Sequence, residues 1–554
     1  MEEARLSVPG RSGLIRLLVA ALVLHLVLIQ PNHPAAMTWR ALVLVPLELP
    51  ALLLGLVALR GRAVLVLRIV LSAALTILVI LKTADFAMFT ALARGFNPVA
   101  DVMLIEAGLR LLAGSIGVVP AALVGLAAVA AAIGIGWAIW WATGVWAVLA
   151  APKVTAWIAG TGAVLSAVVA VAEIGQTMGR WSLGVSPPGA AFTARVGVER
   201  VVMVRDTLRD LRAFRIAARQ DPYAGASGLL DGIDRDVLVV FVESYGRTSL
   251  DTPFYAGLHR ETLERNEAVL RDLGLSMVSG LVGAPTRGGQ SWLSHATFAN
   301  GLLVNDQTRY GAVLASGRET LFHIAARSGF HTAAVMPQIT LDWPESAVMG
   351  FDTVLAAADL GYQGAPFNWV TMPDQFTFAA LDRLVRNGQA DGPSFVQVAL
   401  GSSHAPWVPV PDLVEWDSIG DGQVFNEMAR AGPTPEEVWR DRDRVREQYR
   451  DAVDYALSVV FAYAERHAGT APLMIVLGDH QAADFVALDT RADVPVHVIG
   501  PPHLVARIES WGWSEGLIPD PDTPIRGMQE MRDLLIEAYS SPSAREAGSA
   551  RVTQ

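Results

Sequence analysis

The sequence predicts two parts: an N-terminal membrane domain of five helices, and an extracytoplasmic α/β domain whose mostly parallel sheet is flanked by helices. Three observations lead to this prediction. Five apolar stretches of about 20 residues, the length of a spanning helix, occur before residue 175. Beyond residue 233, short apolar runs alternate with helical patterns. Carboxylate and imidazole side chains follow the ends of several of these runs.

The membrane helices are predicted from apolar length. The five stretches are 13–31, 41–59, 63–82, 116–142 and 154–173. A soluble amphipathic helix would have a polar face, whereas residues 118–141 contain no charged side chain. These stretches therefore predict spanning helices and not the core of a soluble bundle.

Basic residues predict the orientation of the membrane domain. They precede the first stretch or separate later ones, at Arg5, Arg11, Arg16, Arg60, Arg62 and Lys153. Short segments rich in arginine and lysine stay in the cytoplasm. A chain that starts in the cytoplasm and crosses the cell (inner) membrane an odd number of times ends outside the cytoplasm. Everything after residue 175 is therefore predicted to lie outside.

Composition divides the chain and excludes some functions. The predicted parts are the membrane domain 1–175, a linker 176–232, the α/β domain 233–540 and a disordered tail 541–554. The chain has no cysteine, which excludes disulfides, thiolate metal sites and cysteine catalysis. Its net charge of −11 argues against a nucleic-acid partner.

The α/β domain is predicted from alternating strands and helices. Predicted strands are 237–242, 332–335, 395–400, 473–477 and 494–499. Predicted helices are 291–303, 320–328, 375–386, 436–466 and 528–539. Continuous apolar strands separated by helices are typical of a parallel sheet covered on both faces.

Candidate site residues follow three of these strands. Glu243 ends the first, His404 comes shortly after the third, and Asp479 and His480 follow the fourth. Ligands bind beyond the carboxyl ends of parallel strands, so these side chains are expected to meet. Taken singly, Glu243 is more often a salt-bridged strand end, and Asp479 with His480 a common turn. Oxygen ligands with one imidazole suit Mn, Mg or Zn.

Ser291 is the candidate nucleophile. It follows the glycine turn Gly288-Gly289 and opens a predicted helix. Serine also serves there as an ordinary helix cap. As a nucleophile it would lie where free N–H groups stabilise phosphate oxygens. Thr286 is a rival, but it opens no helix. The nucleophile elbow, P-loop and dinucleotide motifs are absent.

These residues together resemble the alkaline phosphatase superfamily, in its sulfatase-like branch of membrane phosphoglycerol transferases of the lipoteichoic acid synthase and periplasmic-glucan types. The resemblance rests on Val-Phe-Val-Glu ending at Glu243, on Ser291-x-x-Ser-His, and on Leu-Gly-Asp-His ending at His480. It implies that Glu243, Ser291, Asp479 and His480 hold one divalent metal, with manganese expected and magnesium or zinc as alternatives. It also implies that His404 contacts substrate.

The implied reaction transfers a phospholipid headgroup, phosphoglycerol from phosphatidylglycerol, to a glycan or lipid acceptor outside the membrane. A covalent intermediate on Ser291 would carry the headgroup. Phosphoethanolamine transfer and phosphodiester or phosphomonoester hydrolysis are the alternatives, followed by a sulfatase or a non-catalytic lipid- or glycan-binding protein. His295 stands where sulfatases have arginine, which disfavours formylglycine chemistry. The oligomeric state is left open.

Further candidates for substrate contact are His295, Trp343 and Arg287. Around Trp343, Met336 and Glu345 replace a histidine and an arginine that the family uses for lipid phosphate. The headgroup pocket is therefore expected to differ from that of the family. Two other polar residues are expected to be structural. Asp374 is interpreted as a helix cap, and His497 is interpreted as a histidine of the core and not as a ligand.

Overall fold

The computed structural model describes residues 10–92, 94–149, 151–184, 187–368, 371–387 and 392–543. The chain forms two compact units, here called the helical unit (Met1–Asp210) and the α/β unit (Leu211–Gln554). Arg5 and residues 544–554 of the predicted tail lie outside the described residues. The boundaries predicted at 175 and 232 remain predictions.

The helical unit consists of apolar helices followed by a polar one. Its α-helices are α1 (Arg11–Ile29), α2 (Glu48–Ala58), α3 (Arg62–Leu92), α4 (Val102–Ile116), α5 (Val118–Ala147), α6 (Lys153–Thr177) and α7 (Phe192–Arg219), whose last turns belong to the α/β unit. Among the described residues, four helices are long and apolar enough to cross a membrane: α1, α3, α5 and α6. The prediction of five such helices is not confirmed.

The predicted second span, 41–59, is interrupted. Its regular part is α2, which has 11 residues and is therefore roughly 16 Å long, against about 30 Å for a bilayer core. Pro46 interrupts the run, since proline disfavours helix at the residue before it. The neighbouring backbone pairs with Ala190 instead: Ala190 N donates to Val45 O (3.1 Å) and Leu47 N donates to Ala190 O (3.1 Å).

Side-chain contacts define two ends of the helical unit. At the first end, Arg68 near the start of α3 donates to the carbonyl of Trp140 near the end of α5 (3.1 Å). At the second end, Lys82 donates to the carbonyl of Val27 in α1 and to Thr193 Oγ1 in α7 (2.9 Å each). The starts of α1 and α3 are thus at one end and the start of α7 is at the other.

Buried charges hold the first half of α7 at the second end. Asp85 is fully buried and pairs with Arg200 of α7. Asp85 also accepts hydrogen bonds from Asn32 Nδ2 (3.1 Å) and Phe96 N (2.9 Å). Because a buried carboxylate needs a charged partner, Arg200 fixes α7 against α3.

Among its described residues, the α/β unit has nine strands in one sheet. They are β1 (Val237–Val242), β2 (Ser276–Gly283), β3 (His331–Met336), β4 (Thr353–Ala356), β5 (Ser394–Ala399), β6 (Leu473–Gly478), β7 (Asp493–Gly500), β8 (Ser514–Glu515) and β9 (Ile525–Gly527). The order is β4-β3-β5-β1-β6-β7-β2-β8, with β9 also paired to β2. β1, β5 and β6 are buried along their whole length.

The helices of this unit cover the sheet. They are α8 (Thr248–Asp251), α9 (Pro253–Asp272), α10 (Ser291–Asn300), α11 (Gln307–Leu314), α12 (Leu321–Arg327), α13 (Asp374–Leu381), α14 (Pro435–Val438), α15 (Arg442–Arg466), α16 (Asp484–Ala487), α17 (Pro502–Val505) and α18 (Met531–Tyr539). Two apolar clusters, one around Val240 and Tyr449 and one around Val239 and Phe298, form the core.

The sheet is mixed, so the prediction of a mostly parallel sheet is not confirmed. The first five strands in the sheet order, β4, β3, β5, β1 and β6, run parallel to one another. β7 is antiparallel to β6 and to β2. Only the four-residue helix α16 lies between β6 and β7, whereas a parallel connection needs a long crossover. The predicted strand 494–499 therefore exists but runs in the opposite direction.

We predict that Arg200→Met destabilises the helical unit. Asp85 would keep only neutral donors for a buried charge, a loss of about 3 kcal/mol in unfolding free energy. Arg205→Met on the same helix is the control, because Arg205 is solvent-exposed and should change stability by less than about 0.5 kcal/mol. Unfolding of both variants in detergent would be compared. Equal stability of the two would contradict a clamping role for Arg200.

Candidate metal centre

The site lies at the carboxyl edge of the three central strands. β1 lies between β5 and β6 and runs parallel to both, so all three end at the same edge. Glu243 follows β1, and Asp479 follows β6 in register with it. The strand ends approach closely: a Cβ on Gly478 would lie 1.8 Å from the Tyr245 carbonyl oxygen. Glycine at 478 is therefore required for this approach.

Glu243, Asp479 and His480 form a compact buried cluster. One ligand atom from each lies within 4.8 Å of the others. His480 Nε2 is 3.2 Å from Glu243 Oε1 and 3.8 Å from Asp479 Oδ2. The three side chains are almost inaccessible to solvent. The sequence-predicted carboxylates and imidazole therefore converge.

Ser291 completes the cluster from the first residue of α10. Its hydroxyl donates to Glu243 Oε2 (3.1 Å) and lies 3.3 Å from His480 Nε2. The turn before it is fixed by the Gly288 N–H, which donates to the Gln481 carbonyl (2.7 Å). Gly288 has φ +70°, and a Cβ there would press against Ala483 at 3.2 Å. This turn holds Ser291 beside the residues that follow β6.

Hydrogen bonds orient the ligands. His480 Nδ1 lies 3.1 Å from the Gln481 carbonyl oxygen, which can only accept, so Nδ1 carries the hydrogen and Nε2 faces the cluster. Asp479 Oδ1 accepts from Ser244 N (2.8 Å) and His480 N (2.6 Å). Asp479 Oδ2 is left for the cluster.

The electrostatics of the cluster suit a cation. Burial opposes ionisation of Glu243, but the positive charge of His480 holds its pKa below the ordinary value. Burial and the charge of Glu243 raise the pKa of Asp479 to about 7. Two carboxylates thus compete for the positive charge of a single imidazole. Two oxygen ligands, one imidazole and a hydroxyl are donors that Mn, Mg and Zn accept, so the residues fit a divalent metal.

Two arginines hold the opposite end of α10. Arg318 Nε (2.6 Å) and Arg532 Nη1 (3.0 Å) both donate to the carbonyl of Asn300, the last residue of the helix. Arg532 is fully buried and pairs with Asp221 at 2.6 Å. Cations at a helix C-terminus are stabilising. The helix that carries Ser291 is therefore fixed at both ends.

His404 lies in the loop after β5. Its Nδ1 is 2.6 Å from the Ala405 carbonyl oxygen, which leaves Nε2 available to a substrate. Its charge contributes to the low pKa of Glu243, so it lies within electrostatic range of the cluster. Asp374 fixes this loop, since its Oδ1 accepts from Gly401 N (2.8 Å) and Ser402 N (2.9 Å).

His295 lies one turn after Ser291 and is buried against the ring of Phe241, with ring centroids 4.1 Å apart. Burial lowers its pKa to about 4, so it is neutral at pH 7. Its Nε2 is buried and has no hydrogen-bond partner among the described residues. A role in substrate contact stays a prediction.

The other two substrate candidates are engaged elsewhere. Arg287 donates to Asp484 (2.9 Å) and to the Thr490 carbonyl (2.5 Å). Trp343 is half-buried and packs against Phe351. Neither residue is joined to the cluster by a hydrogen bond or ion pair in the described part of the chain. Their proposed roles remain untested.

His497 is a core residue, as its position within a strand predicts. Tyr245 Oη lies 3.0 Å from its Nε2, and Ser279 Oγ lies 2.8 Å from its Nδ1. Burial lowers its pKa to about 3. Both ring nitrogens are satisfied, so His497 is not a ligand of the cluster.

Sequence reasoning missed the residues that support the site. Ser403 Oγ donates to the Glu243 carbonyl (2.6 Å), and Gln481 binds both the Gly288 turn and His480. These contacts join segments distant in sequence. In the sequence, only the position of each polar residue beside a predicted site residue, Ser403 beside His404 and Gln481 beside His480, could have indicated this supporting role.

The α/β unit matches the family model described as Sulfatase over residues 235–484. The predicted superfamily of the α/β domain is thereby confirmed. No curated protein matches the chain. Similar solved structures include lipooligosaccharide phosphoethanolamine transferase A of Neisseria meningitidis, with 13% identity and a TM-score of 0.47 over 95% of this chain and 96% of that chain. Others are the phosphoglycerol transferase GacH of Streptococcus pyogenes (14%, 0.38, 63% and 86%) and the lipoteichoic acid synthase LtaP of Listeria monocytogenes (11%, 0.35, 58% and 76%).

We predict that Glu243→Gln weakens manganese binding. The loss of affinity should exceed the roughly 10- to 100-fold that is typical of substitutions at residues beyond the metal ligands. The substitution removes one of two charged ligands from the cluster. Glu436→Gln is the control, since Glu436 is exposed in the same unit. Metal content after dialysis and titration calorimetry would measure the effect. Retention of wild-type affinity in Glu243→Gln would exclude the cluster as the metal site.

Proposed function

We propose, on the premise that residues 235–484 form a sulfatase-type domain of the alkaline phosphatase superfamily, that this protein is a membrane-bound phosphotransferase. Its donor would be a phospholipid, phosphatidylglycerol first, and its acceptor an extracytoplasmic glycan or lipid. The observation that carries the proposal is the Ser291 hydroxyl, which lies 3.1 Å from Glu243 and 3.3 Å from His480 at the start of α10.

The first half-reaction forms a phosphoserine diester. The Ser291 oxygen attacks the headgroup phosphorus, and its proton leaves to solvent along the hydrogen bond to Glu243. The free N–H groups at the start of α10 bind the phosphate oxygens. A bound divalent cation would lower the pKa of the Ser291 hydroxyl and offset phosphate charge. As the bond from Ser291 to phosphorus forms, the bond from phosphorus to diacylglycerol breaks.

His404 supports both half-reactions as a proton donor and acceptor. Its Nδ1 is held by the Ala405 carbonyl, so Nε2 can protonate the departing diacylglycerol oxygen. In the second half-reaction, Nε2 accepts the proton of the acceptor hydroxyl as that oxygen attacks the phosphorus. Ser291 then leaves and takes up a proton from solvent. All bonds and protons balance over the two steps.

The proposed membrane orientation gives the site its donor. α1, α3, α5 and α6 are long and apolar enough to span, and Arg11, Arg16 and Arg62 lie at the starts of α1 and α3. Under the positive-inside rule these starts are cytoplasmic. The start of α7 lies at the other end of the helical unit, together with Lys82 and Val27. This layout supports an α/β unit outside the cytoplasm.

Phosphatidylethanolamine is the second candidate donor. Glu345 stands where the resembled family has an arginine for lipid phosphate, and a carboxylate there would favour a cationic headgroup. Mass spectrometry of purified protein with mixed phospholipids and Mn or Mg distinguishes the donors. Diacylglycerol formed with loss of phosphatidylglycerol, and a phosphoglycerol adduct on Ser291, would support the first donor. Loss of phosphatidylethanolamine would support the second, and free phosphoglycerol or phosphate would indicate hydrolysis.

We predict that Ser291→Ala lowers turnover of the donor lipid by at least about 10³-fold, because nucleophile and ligands act as a unit. Ser294→Ala is the matched control: Ser294 lies on the same helix, fully buried, and has no hydrogen-bond partner among the described residues. Diacylglycerol release measures both variants. Near-normal turnover in Ser291→Ala would refute the assignment of the nucleophile.

We predict that His404→Gln lowers turnover of the phospholipid about 100-fold, the scale of general acid catalysis. A p-nitrophenyl phosphodiester should be affected far less, because its leaving group departs without a proton. His467→Gln serves as the control, since His467 pairs with Asp382 away from the cluster. Equal losses on both substrates would show that His404 binds phosphate and does not protonate the leaving oxygen.

A further inference from the structure

We propose that the helical unit has a second ligand site, a cavity that binds the phosphate of an anionic phospholipid. The cavity measures about 530 Å³ and opens at the first end of the unit, where α1 and α3 begin and α5 ends. Residues lining it include Arg16, Arg68, Trp137, Trp140, Trp141 and Gly144. This site is separate from Ser291 and its ligands, and the proposed transfer reaction does not use it.

Arg68 is positioned by Trp140 and keeps donors free. Its guanidinium carbon lies 3.9 Å above the Trp140 ring, and Nη2 donates to the Trp140 carbonyl (3.1 Å). Its Nε is buried and has no partner among the described residues. Stacking on tryptophan holds the planar guanidinium in one orientation. The remaining N–H groups form a fork of the kind that binds phosphate.

Gly144 provides the space for this guanidinium. A Cβ at position 144 would lie 2.6 Å from Arg68 Nη2. Any side chain there would force Arg68 away from Trp140. At this level of the helices, α5 therefore packs against the charged group of Arg68, whereas deeper contacts such as Leu75 with Ile139 are apolar.

The cavity carries uncompensated positive charge. Arg16 and Arg68 both line it, and neither forms an ion pair within the described ranges. A guanidinium on a spanning helix is costly without an anionic partner. A phosphate between the two arginines would supply that partner. Basic pockets between membrane helices on the cytoplasmic side bind anionic headgroups in this way.

The position of the cavity along the helices favours a lipid over a free anion. Arg16 is in the second turn of α1, Arg68 in the second turn of α3, and Trp140 two turns before the end of α5. These depths are roughly 7–10 Å from the helix ends at 1.5 Å per residue. Tryptophans at this level are typical of the headgroup layer. Acyl chains can then lie on exposed apolar side chains such as Leu18 and Ile133.

The test is lipid retention by the full-length protein, measured by native mass spectrometry after release from nanodiscs. The Ser291→Ala background is used, so that turnover at the proposed catalytic site cannot change the lipid count. The probe is phosphatidic acid, with phosphatidylcholine as the zwitterionic comparison. We expect one phosphatidic acid to be retained in preference to phosphatidylcholine. Failure of the proposed transferase reaction would leave this result unchanged.

Variants assign the retained lipid to the cavity. Arg16→Gln with Arg68→Gln should lower retention of phosphatidic acid about tenfold or more, whereas Arg68→Lys should keep part of it. Arg62→Gln is the matched control, because Arg62 is exposed on the same helix but does not line the cavity. Circular dichroism confirms folding of each variant. Equal retention in the double variant and the control would overturn the proposal.

A competition arm separates the lipid from a free anion. Glycerol 3-phosphate at millimolar concentration should not displace the retained phosphatidic acid, because it lacks the acyl chains that lie on α1 and α5. Displacement by glycerol 3-phosphate would show that the cavity takes soluble phosphate and would overturn the lipid assignment. Equal retention of phosphatidylcholine and phosphatidic acid would overturn the requirement for an anionic lipid.

Discussion

The burial of two carboxylates at one edge of the sheet is the constraint on which the α/β unit depends. β1 and β6 are adjacent and parallel, so Glu243 and Asp479 emerge side by side, and both are removed from water. Such a pair is unfavourable unless positive charge lies between its members. His480 supplies one positive charge, and burial together with the charge of Glu243 still raises the pKa of Asp479 to about 7. The packing of the strands thus creates a buried negative site whose charge a divalent cation would balance.

The same constraint applies to α10, the helix that begins with Ser291. Ser291 must stay within hydrogen-bond reach of Glu243, and a small rotation of α10 would remove it. Arg318 and Arg532 fix the far end of the helix through the Asn300 carbonyl. Arg532 in turn binds Asp221, which lies twelve residues before the predicted domain start at 233. Asp221 belongs to the compact α/β unit, which begins at Leu211.

The sequence predicts the parts of this structure that depend on local pattern. β1 and β6 are continuous apolar runs, and Glu243, Asp479 and His480 follow them directly, so fold class and cluster could be inferred together. β2 was missed because glycine and serine interrupt it: Gly280 leaves room for the Trp513 ring, and a Cβ there would lie 2.3 Å from it. The interruption of the second span at Pro46 and the reversed direction of β7 depend on tertiary pairing. Neither is visible in hydropathy.

Both proposed sites would bind phosphate, but they share no residue and carry charges of opposite sign. In the α/β unit, Ser291 and its acidic ligands would bind a phosphate only with a cation present, because Glu243 and Asp479 repel an anion. In the helical unit, Arg16 and Arg68 would bind a phosphate directly and need no metal. Chelation of the metal should therefore abolish turnover and leave lipid retention intact. That separation follows from the sign of the charges in each site, whichever headgroup proves to be the donor.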